Sequence, residues 1–334
     1  MVMTDLKLLV VGVGSIGRRH SDVLYTELGC RNITVWDPIP ERAKEHAAKY
    51  PGMQTVDTLE EGLAAKPDAV FLCSPPALHM PQAELAIKAG CHVMVEKPLA
   101  IDLESLYKVK TLAEENGRMV SVALCNRYHK GLQRVKELAE SGKLGKIINI
   151  RGAMGEFFPE SRPDYMGTYY VQYSGCFELI HAVDYTVWVA GGEPVEIYGI
   201  CGSDADIGFR SPDNAEVLFR TDNGVTCSVN LAFYQRPSHS ELFVYGTEGT
   251  CELRYTHNDY RLRWYTREAG TWQEETVDGL YRNMMFAAED RAFLESISSG
   301  KYQGCSMEDA ARAVKIYCKV YGDQNPPPEG WRGK

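Results

Sequence analysis

The fold is decided by the stretch Val10-Val11-Gly12-Val13-Gly14-Ser15-Ile16-Gly17, which follows an apolar run and opens a helical pattern. Each glycine has a physical purpose there: Gly12 permits a tight turn, Gly14 lets the backbone approach a pyrophosphate, and Gly17 lets the helix pack against the strand. The first N–H groups of the helix have no partner within it and favour phosphate binding. The stretch therefore predicts a dinucleotide-binding β-α-β fold.

An acidic residue at the expected distance supports this interpretation. Asp37 stands twenty residues past the last glycine of the loop, just after an apolar run. A carboxylate at that position accepts hydrogen bonds from the adenosine ribose and repels a 2′-phosphate, so the sequence favours NAD as the cofactor. Arg18 and Arg19 are close enough to leave NADP open. Asp37 can also simply begin a turn before Pro38.

Hydrophobic patterning divides the chain in two. The first 124 residues alternate short apolar runs with helical patterns, as expected of a Rossmann domain with a doubly wound parallel sheet. Later, Val225 to Tyr234 alternates apolar and more polar residues after the hairpin signal Asp222-Asn223-Gly224. We expect an α/β chain with an NAD-binding Rossmann domain over residues 1–124. Residues 125–334 would form an α+β domain with a mostly antiparallel open sheet, for substrate binding and oligomerisation. The patterns also predict helices over residues 81–89, 177–190, 283–299 and 307–321.

Composition restricts the partners and the compartment. The chain has 36 Lys and Arg against 45 Asp and Glu, a net charge of −9, which disfavours nucleic acid and anionic membranes as partners. No apolar run reaches the length of a membrane span, and no secretory signal is visible. The ten cysteines are scattered without a C-x-x-C pair, so we expect reduced, mostly buried thiols in a cytoplasmic protein without a metal site.

Segments at the ends of predicted strands carry a family resemblance. They read Gly14-Ser15-Ile16-Gly17-Arg18-Arg19-His20, Leu72-Cys73-Ser74-Pro75-Pro76-Ala77-Leu78-His79 and Val95-Glu96-Lys97-Pro98-Leu99. Together they resemble the glucose–fructose oxidoreductase / inositol dehydrogenase family, usually written Gfo/Idh/MocA. The resemblance extends over nearly the whole chain, and the Glu-Lys-Pro motif is its most specific part.

The resemblance implies a set of cofactor contacts. The glycine loop and the ribose-binding acid would contribute Gly12, Gly14, Ser15, Ile16, Gly17 and Asp37. Further contacts would come from Cys73, Ser74, Pro75, His79, Glu96, Lys97 and Arg127. The Lys97–Pro98 bond can be cis in this family. Taken alone, Lys97 could equally be a surface lysine.

A predicted helix over residues 177–190 carries the proton-transfer candidates. Spacings of three residues place Glu178, His181 and Asp184 on one stripe, and histidine titrates close to neutral pH. The resemblance implies that His181 is the general acid/base, Lys97 its partner, and Glu178 the orienting acid. Many relatives have an aspartate four residues before the histidine, where this chain has Phe177. A histidine that is merely satisfied by Asp184 is the alternative.

The expected substrate is an uncharged sugar, glycoside or cyclic polyol such as inositol. Residues 163–209 contain no lysine or arginine, and this region and its approach are rich in aromatic residues, whose faces suit the C–H faces of a sugar ring. The candidate substrate-binding residues are Lys97, Arg127, Tyr165, Glu178, His181 and Asp184. Half of the aromatic residues could instead belong to a core.

Several functions stay open at this point. A nucleotide-sugar or sugar-phosphate dehydrogenase would need a cation, which Arg127, Arg162 or Arg236 could supply. A non-catalytic dinucleotide-binding regulator is the other class, since fold alone does not give function. By resemblance we expect a homodimer or homotetramer.

Overall fold

The structure is a computed structural model and describes residues 3–163, 166, 174–208 and 211–324. The chain folds into two compact units. Among the described residues, the first contains residues 3–125 together with Asn283–Ala311, and the second contains residues of the range Asn126–Arg282 and residues 312–324. None of the ten cysteines, all of which lie in the described ranges, forms a disulfide, and eight are buried, which confirms the thiol prediction.

The first unit contains a six-stranded parallel sheet. Its strands are β1 (Leu8–Val11), β2 (Ile33–Trp36), β3 (Gln54–Thr55), β4 (Ala69–Leu72), β5 (His92–Glu96) and β6 (Val120–Ala123). The order β3-β2-β1-β4-β5-β6 is that of a dinucleotide-binding doubly wound sheet. Every residue of β1 and β4 is buried, as expected of central strands with both faces covered.

Helices connect these strands. They are α1 (Ser15–Thr26), α2 (Pro40–Ala47), α3 (Leu59–Ala64), α4 (Pro76–Lys88) and α5 (Leu103–Glu115). Helix α4 begins at Pro76 rather than at the predicted residue 81, because a proline with its fixed φ suits the first helical position. Pro81 lies inside the helix, so the prediction was wrong about this start.

The second unit contains an eight-stranded sheet in the order β14-β13-β12-β11-β7-β10-β9-β8. Its strands are β7 (Ile147–Phe157), β8 (Pro194–Gly202), β9 (Asn214–Thr221), β10 (Thr226–Ala232), β11 (Tyr234–Gly246), β12 (Gly249–Tyr255), β13 (Tyr260–Thr266) and β14 (Trp272–Val277). Only the β7–β10 pair is parallel among its neighbouring strands. The predicted mostly antiparallel sheet is confirmed.

The predicted hairpin is confirmed in this sheet, and the predicted alternation holds up to Leu231, after which Ala232 is also buried. Val225, Cys227, Val229, Leu231 and Phe233 are all at most 3% exposed. The turn before them joins antiparallel strands β9 and β10, and its glycine has a φ of +90°, a conformation that L side chains rarely adopt.

Within the part of the second unit that the structure describes, helices α6 (Lys130–Glu140), α7 (Phe158–Ser161) and α8 (His181–Ala190) accompany the sheet, and the last helix joins them from Arg312. Helix α8 packs on β7 and β10 and is buried on nearly all sides. Residues Gly175–Leu179 form a separate 3-10 helix before α8. The predicted helix over residues 177–190 was therefore wrong at its start.

The last two helices are α9 (Asn283–Ser299) and α10 (Met307–Gln324). Helix α9 belongs to the first unit and packs against α1. The predicted second domain over residues 125–334 included this helix, and the difference follows from buried polar contacts that α9 makes with α1. Among the described helices, none has both the length and the apolar character that crossing a membrane requires.

Candidate active site

The glycine loop between β1 and α1 has a distinct reason for each glycine. Gly12 has a φ of +90°, and a Cβ there would lie 2.9 Å from the Cys73 carbonyl oxygen. A Cβ on Gly17 would lie 1.8 Å from the Gly12 oxygen, so the turn and the helix pack directly on each other. A Cβ on Gly14 would meet nothing within 4 Å. Packing therefore explains two of the glycines, and open space beside the third fits a closely approaching ligand.

The start of helix α1 has the character of an anion site. Gly14 is its N-cap and no side chain caps it, while Ser15 is exposed. The first N–H groups of a helix lack partners within it and lie at the positive end of the helix dipole. The loop and this helix end together fit the pyrophosphate of a dinucleotide.

Asp37 is buried beside the same loop. Its Oδ2 accepts a hydrogen bond of 2.7 Å from the Val13 amide, and its Oδ1 accepts one of 2.9 Å from the Ile39 amide. The second bond is the turn contact that the sequence left as an alternative. The first ties the carboxylate to the glycine loop, so Asp37 also stabilises the loop conformation. Arg42 Nη1 lies 3.9 Å from Oδ1.

The segment after β4 is held to the segment after β5 by a buried histidine. His79 lies in the first turn of α4, with Nδ1 2.9 Å from the Pro98 oxygen and Nε2 2.8 Å from the Ser74 oxygen. Both ring nitrogens thus contact backbone carbonyls, and burial lowers the pKa of His79. Cys73 is buried, whereas Ser74 and Pro75 are partly exposed. His79 positions two loops at the carboxyl edge of the sheet, where ligands bind in such folds.

The Glu-Lys-Pro segment ends β5 at this same edge. Glu96 is buried and Lys97 is half-buried, and the Lys97–Pro98 peptide bond is cis. Glu96 Oε2 accepts a hydrogen bond of 2.8 Å from the Lys97 amide. Burial raises the pKa of Glu96, but the hydrogen bond and charge of His20 and the charge of Lys97 outweigh it, so the net shift is downward.

The proton-transfer candidates Glu178 and His181 lie in the second unit. Glu178 is buried on the 3-10 helix, and His181 is partly buried at the first position of α8. Glu178 therefore precedes α8 on a 3-10 turn, and the α-helix itself begins only at His181.

Asp184 and Arg127 form a buried ion pair in the second unit. Arg127 Nε donates to Asp184 Oδ2 at 2.9 Å and Nη2 donates to Oδ1 at 2.7 Å. The guanidinium also lies 5.6 Å from the Trp188 ring centroid. This two-pronged contact is the strong form of an arginine–carboxylate pair. Asp184 thus has a structural partner other than His181.

One predicted substrate residue, Tyr165, lies outside the described residues. The same is true of three further aromatic residues of the predicted set, Tyr169, Tyr170 and Tyr173. Phe158 is buried and forms part of the core, with its ring 4.3 Å from that of Phe233. The core alternative holds for Phe158.

Sequence reasoning missed one buried group beside the site. His20 belongs to the resembling segment and contacts both Glu96 and Asp290 of α9. The contact with Asp290 spans 270 positions in sequence, and no local pattern indicates it. The acidic pair Glu289-Asp290 inside an otherwise apolar helical stripe was the only available signal.

The parallel sheet, the glycine loop and the acid after β2 together define a nucleotide-binding Rossmann protein. Residues 6–124 match the family described as "Oxidoreductase family, NAD-binding Rossmann fold", and residues 132–252 match the "GFO/IDH/MocA C-terminal domain". The chain belongs to the Gfo/Idh/MocA family of NAD-binding oxidoreductases.

Individual relatives are dehydrogenases of polyols and sugars. The chain is 30% identical over 74% of its length to an inositol 2-dehydrogenase of Cereibacter sphaeroides, of which the match covers 73%. It is 25% identical over 95% of its length to a UDP-N-acetylglucosamine 3-dehydrogenase of Acidithiobacillus ferrooxidans, of which 97% is covered. A structure of levoglucosan dehydrogenase with NADH and levoglucosan has a TM-score of 0.83 at 18% identity, covering 94% of this chain and 96% of that one.

Proposed function

We propose that this protein is an NAD-dependent dehydrogenase that oxidises one ring hydroxyl of an uncharged sugar, glycoside or cyclic polyol, or reduces the corresponding ketone. The proposal rests on the family, on the polyol and sugar dehydrogenases among the relatives, and on the charge state of the candidate substrate-binding region. The charge state of this region is the observation that favours an uncharged substrate.

The three arginines that could have bound a phosphate are already paired. Arg127 is held by Asp184 at 2.7 Å, Arg162 lies 3.2 Å from Glu156, and Arg236 lies 3.0 Å from Glu160. Residues 163–209 contribute no lysine or arginine. Recruiting Arg127 to a phosphate would leave the buried Asp184 carboxylate uncompensated, whereas the exposed Arg236–Glu160 pair would oppose recruitment only weakly. An uncharged ring is therefore favoured over a sugar phosphate.

The chemistry assigns one role to each of three residues. His181 takes the proton of the substrate hydroxyl as the ring carbon loses a hydride and becomes a carbonyl. The Lys97 ammonium stabilises the developing alkoxide. Glu178 orients His181. A bound nicotinamide dinucleotide supplies the hydride acceptor.

NAD is proposed as the cofactor rather than NADP. The buried Asp37 carboxylate would oppose a 2′-phosphate, and one nitrogen of the Arg19 guanidinium is already used by Asn283 at 2.7 Å. Asp37→Asn keeps an oxygen for the Val13 amide but removes the charge. We expect it to narrow the preference for NAD over NADP about tenfold or more in kcat/KM, whereas an unchanged preference would contradict the assignment.

A substrate panel tests the function. Reduced dinucleotide formation is followed over inositols, uncharged glycosides, nucleotide sugars and sugar phosphates, with wild type, Lys97→Ala and His181→Ala. We expect turnover of uncharged rings and a loss of kcat of about 10²-fold or more in each variant. Turnover on sugar phosphates alone would contradict the substrate class. Tight NAD binding with no turnover on any substrate would favour a regulator.

We propose that the protein is a homo-oligomer in its functional state. The face of the eight-stranded sheet opposite α8 exposes Tyr198 by 63%, Ile200 by 73% and Leu218 by 48%. Tyr198 and Leu218 are cross-strand neighbours, so these side chains form an apolar patch on adjacent strands. Glu216 pairs with Ile200 on the same face, so the patch is small; its exposed apolar side chains make this face the candidate interface.

A further inference from the structure

A histidine in the first unit is completely buried between two carboxylates. His20 lies on α1 and has no exposed surface. Its Nδ1 lies 2.8 Å from Oδ1 of Asp290, and its Nε2 lies 3.1 Å from Oε1 of Glu96. Both ring nitrogens face carboxylate oxygens; where both carboxylates are ionised, each nitrogen donates and the ring is an imidazolium, although burial also raises the pKa of Asp290.

Two aromatic rings hold the imidazole in this orientation. The Phe71 ring centroid lies 5.6 Å away and the Phe286 centroid 5.4 Å away, the latter edge-on. The ring thus has apolar walls and a carboxylate at each nitrogen. This enclosure restricts the orientation of the imidazole. The ring therefore links Asp290 of α9 to Glu96 of β5 in a fixed arrangement.

The titratable groups around His20 come from each element that packs on it. Glu96 ends β5, Cys73 follows β4, and Glu289 and Asp290 lie on α9. Burial alone would lower the pKa of His20, but Asp290 and Glu96 raise it well above the ordinary value. Burial raises the pKa of Glu289 well above its ordinary value, which favours its neutral acid form.

The network continues from His20 to the candidate catalytic lysine. Glu96 uses one carboxylate oxygen for His20 and the other for the Lys97 amide, at 3.1 and 2.8 Å. Without His20, one Glu96 oxygen would be left without this donor in a buried site, and the carboxylate would be free to rotate away from the lysine amide. The orientation of the Lys97 backbone therefore depends on His20.

We propose that His20 is a positioning residue for the reaction: anchored by Asp290, it holds the Glu96 carboxylate on the Lys97 amide and so fixes the backbone that carries the Lys97 side chain. This inference rests on the proposed function, in which Lys97 acts on the substrate. His20 contacts Glu96 and Asp290, and its effect passes through Glu96.

A bound cation is the competing explanation for the same cluster. Ligand atoms of His20, Glu289 and Asp290 lie within 4.8 Å of one another. A metal would need the lone pair of a ring nitrogen, however, and both nitrogens lie at hydrogen-bond distance from carboxylates. The geometry favours a proton at each nitrogen.

Two substitutions separate the two bonds of His20. Asn at this position places its amide near Nδ1 and keeps only the Asp290 contact, whereas Gln extends to the Nε2 position and keeps a donor for Glu96. Both remove the same charge. We expect His20→Asn to lower kcat about tenfold to a hundredfold with KM for the polyol within about twofold, and His20→Gln to restore kcat to within about threefold of wild type.

Amide hydrogen exchange at Lys97 gives a readout that needs no turnover. The Lys97 amide should exchange about tenfold or more faster in His20→Asn than in wild type, and His20→Gln should keep its protection. His46→Asn is the matched control, because His46 is also a buried histidine of the first unit and bonds to Ser21 instead. It should change neither kcat nor Lys97 exchange.

Three results would overturn the inference. The first is a His20→Asn protein with wild-type kcat and a protected Lys97 amide. The second is an equal loss in His20→Asn and His20→Gln. The third is one divalent metal ion per purified chain that disappears in His20→Asn. Failure of the proposed function looks different: wild-type turnover in Lys97→Ala removes the lysine from the chemistry, while amide exchange still decides whether His20 holds the segment.

Discussion

Gly14 and Gly17 stand three residues apart in one loop and are glycines for different reasons. At Gly17 a side chain has no space, because a Cβ would overlap the Gly12 carbonyl oxygen at 1.8 Å. At Gly14 a side chain has space in the protein, with nothing within 4 Å, and φ is −71°. Packing inside the protein therefore requires a glycine at position 17, whereas space for a ligand explains the glycine at position 14.

This separation predicts opposite outcomes for the same substitution. Gly14→Ala should change the free energy of unfolding by about 1 kcal/mol or less and raise the Kd for NAD about tenfold or more, since its methyl group occupies the space of the pyrophosphate. Gly17→Ala should lose about 3 kcal/mol of stability through overpacking. Denaturant unfolding and NAD titration measure both. Unchanged NAD affinity in Gly14→Ala would remove the loop from the cofactor site.

At the scale of elements, helix α6 begins with an N-cap histidine whose capping hydrogen bond requires an unprotonated ring nitrogen. His129 is its N-cap, and its Nδ1 accepts a hydrogen bond of 3.2 Å from the Gly131 amide while Nε2 contacts the Thr256 oxygen at 3.1 Å. Acceptance requires an unprotonated Nδ1. Burial lowers the pKa of His129 from 6.5 to about 4, which agrees with this requirement.

The lowered pKa of His129 determines the direction in which the free energy of unfolding changes with pH. Between about pH 6.5 and 4 the unfolded chain binds a proton at this residue and the folded chain does not, so stability falls as pH falls through that window. The loss should approach about 3 kcal/mol at pH 4, from 1.36 kcal/mol per pKa unit. His129→Asn keeps a capping side chain without the titration. Urea unfolding at pH 7 and pH 4 should show a smaller drop for the variant, and an identical drop would contradict the assignment.

The elements also show what the sequence could and could not predict. The alternation over residues 225–231 and the Asn-Gly turn are local, and the structure confirms both, whereas Ala232 is buried against the predicted pattern. The helix expected over residues 177–190 fails at its start because Gly175, with a φ of +54° and no room for a Cβ beside Pro212, belongs to a tight 3-10 turn. The cause is the contact between Gly175 and Pro212, which is 37 residues further along the chain, and hydrophobic periodicity does not indicate such a contact.

At the scale of the whole molecule, the chain returns to its first unit through α9. The bond from His20 to Asp290 joins positions 270 residues apart, so a division at residue 124 based on local rhythm could not include it. Motifs located the glycine loop, Asp37 and Glu96-Lys97-Pro98 because each depends on neighbours in sequence. The ion pairs of Arg127, Arg162 and Arg236 could be identified only from the folded structure.

The exposed sheet face makes a prediction about assembly. A double variant, Tyr198→Glu with Leu218→Glu, puts charge into the apolar patch and should shift the protein toward monomers, because buried unpaired carboxylates oppose association. Leu85→Glu, an exposed leucine of α4 in the other unit, is the control and should leave the mass unchanged. Sedimentation measures the result. A monomeric wild type at tens of micromolar would contradict the oligomer.

We propose that Lys97 and His181 promote hydride transfer from a ring carbon of an uncharged polyol or sugar. The most direct measurement uses a ring-deuterated substrate and follows deuterium into the reduced dinucleotide by mass spectrometry. We predict one deuterium per dinucleotide reduced, an equal amount of ketone, and transfer about 10²-fold slower or more in Lys97→Ala and His181→Ala. NAD binding without deuterium transfer from any ring-deuterated polyol or sugar, or transfer at the wild-type rate in both variants, would contradict it.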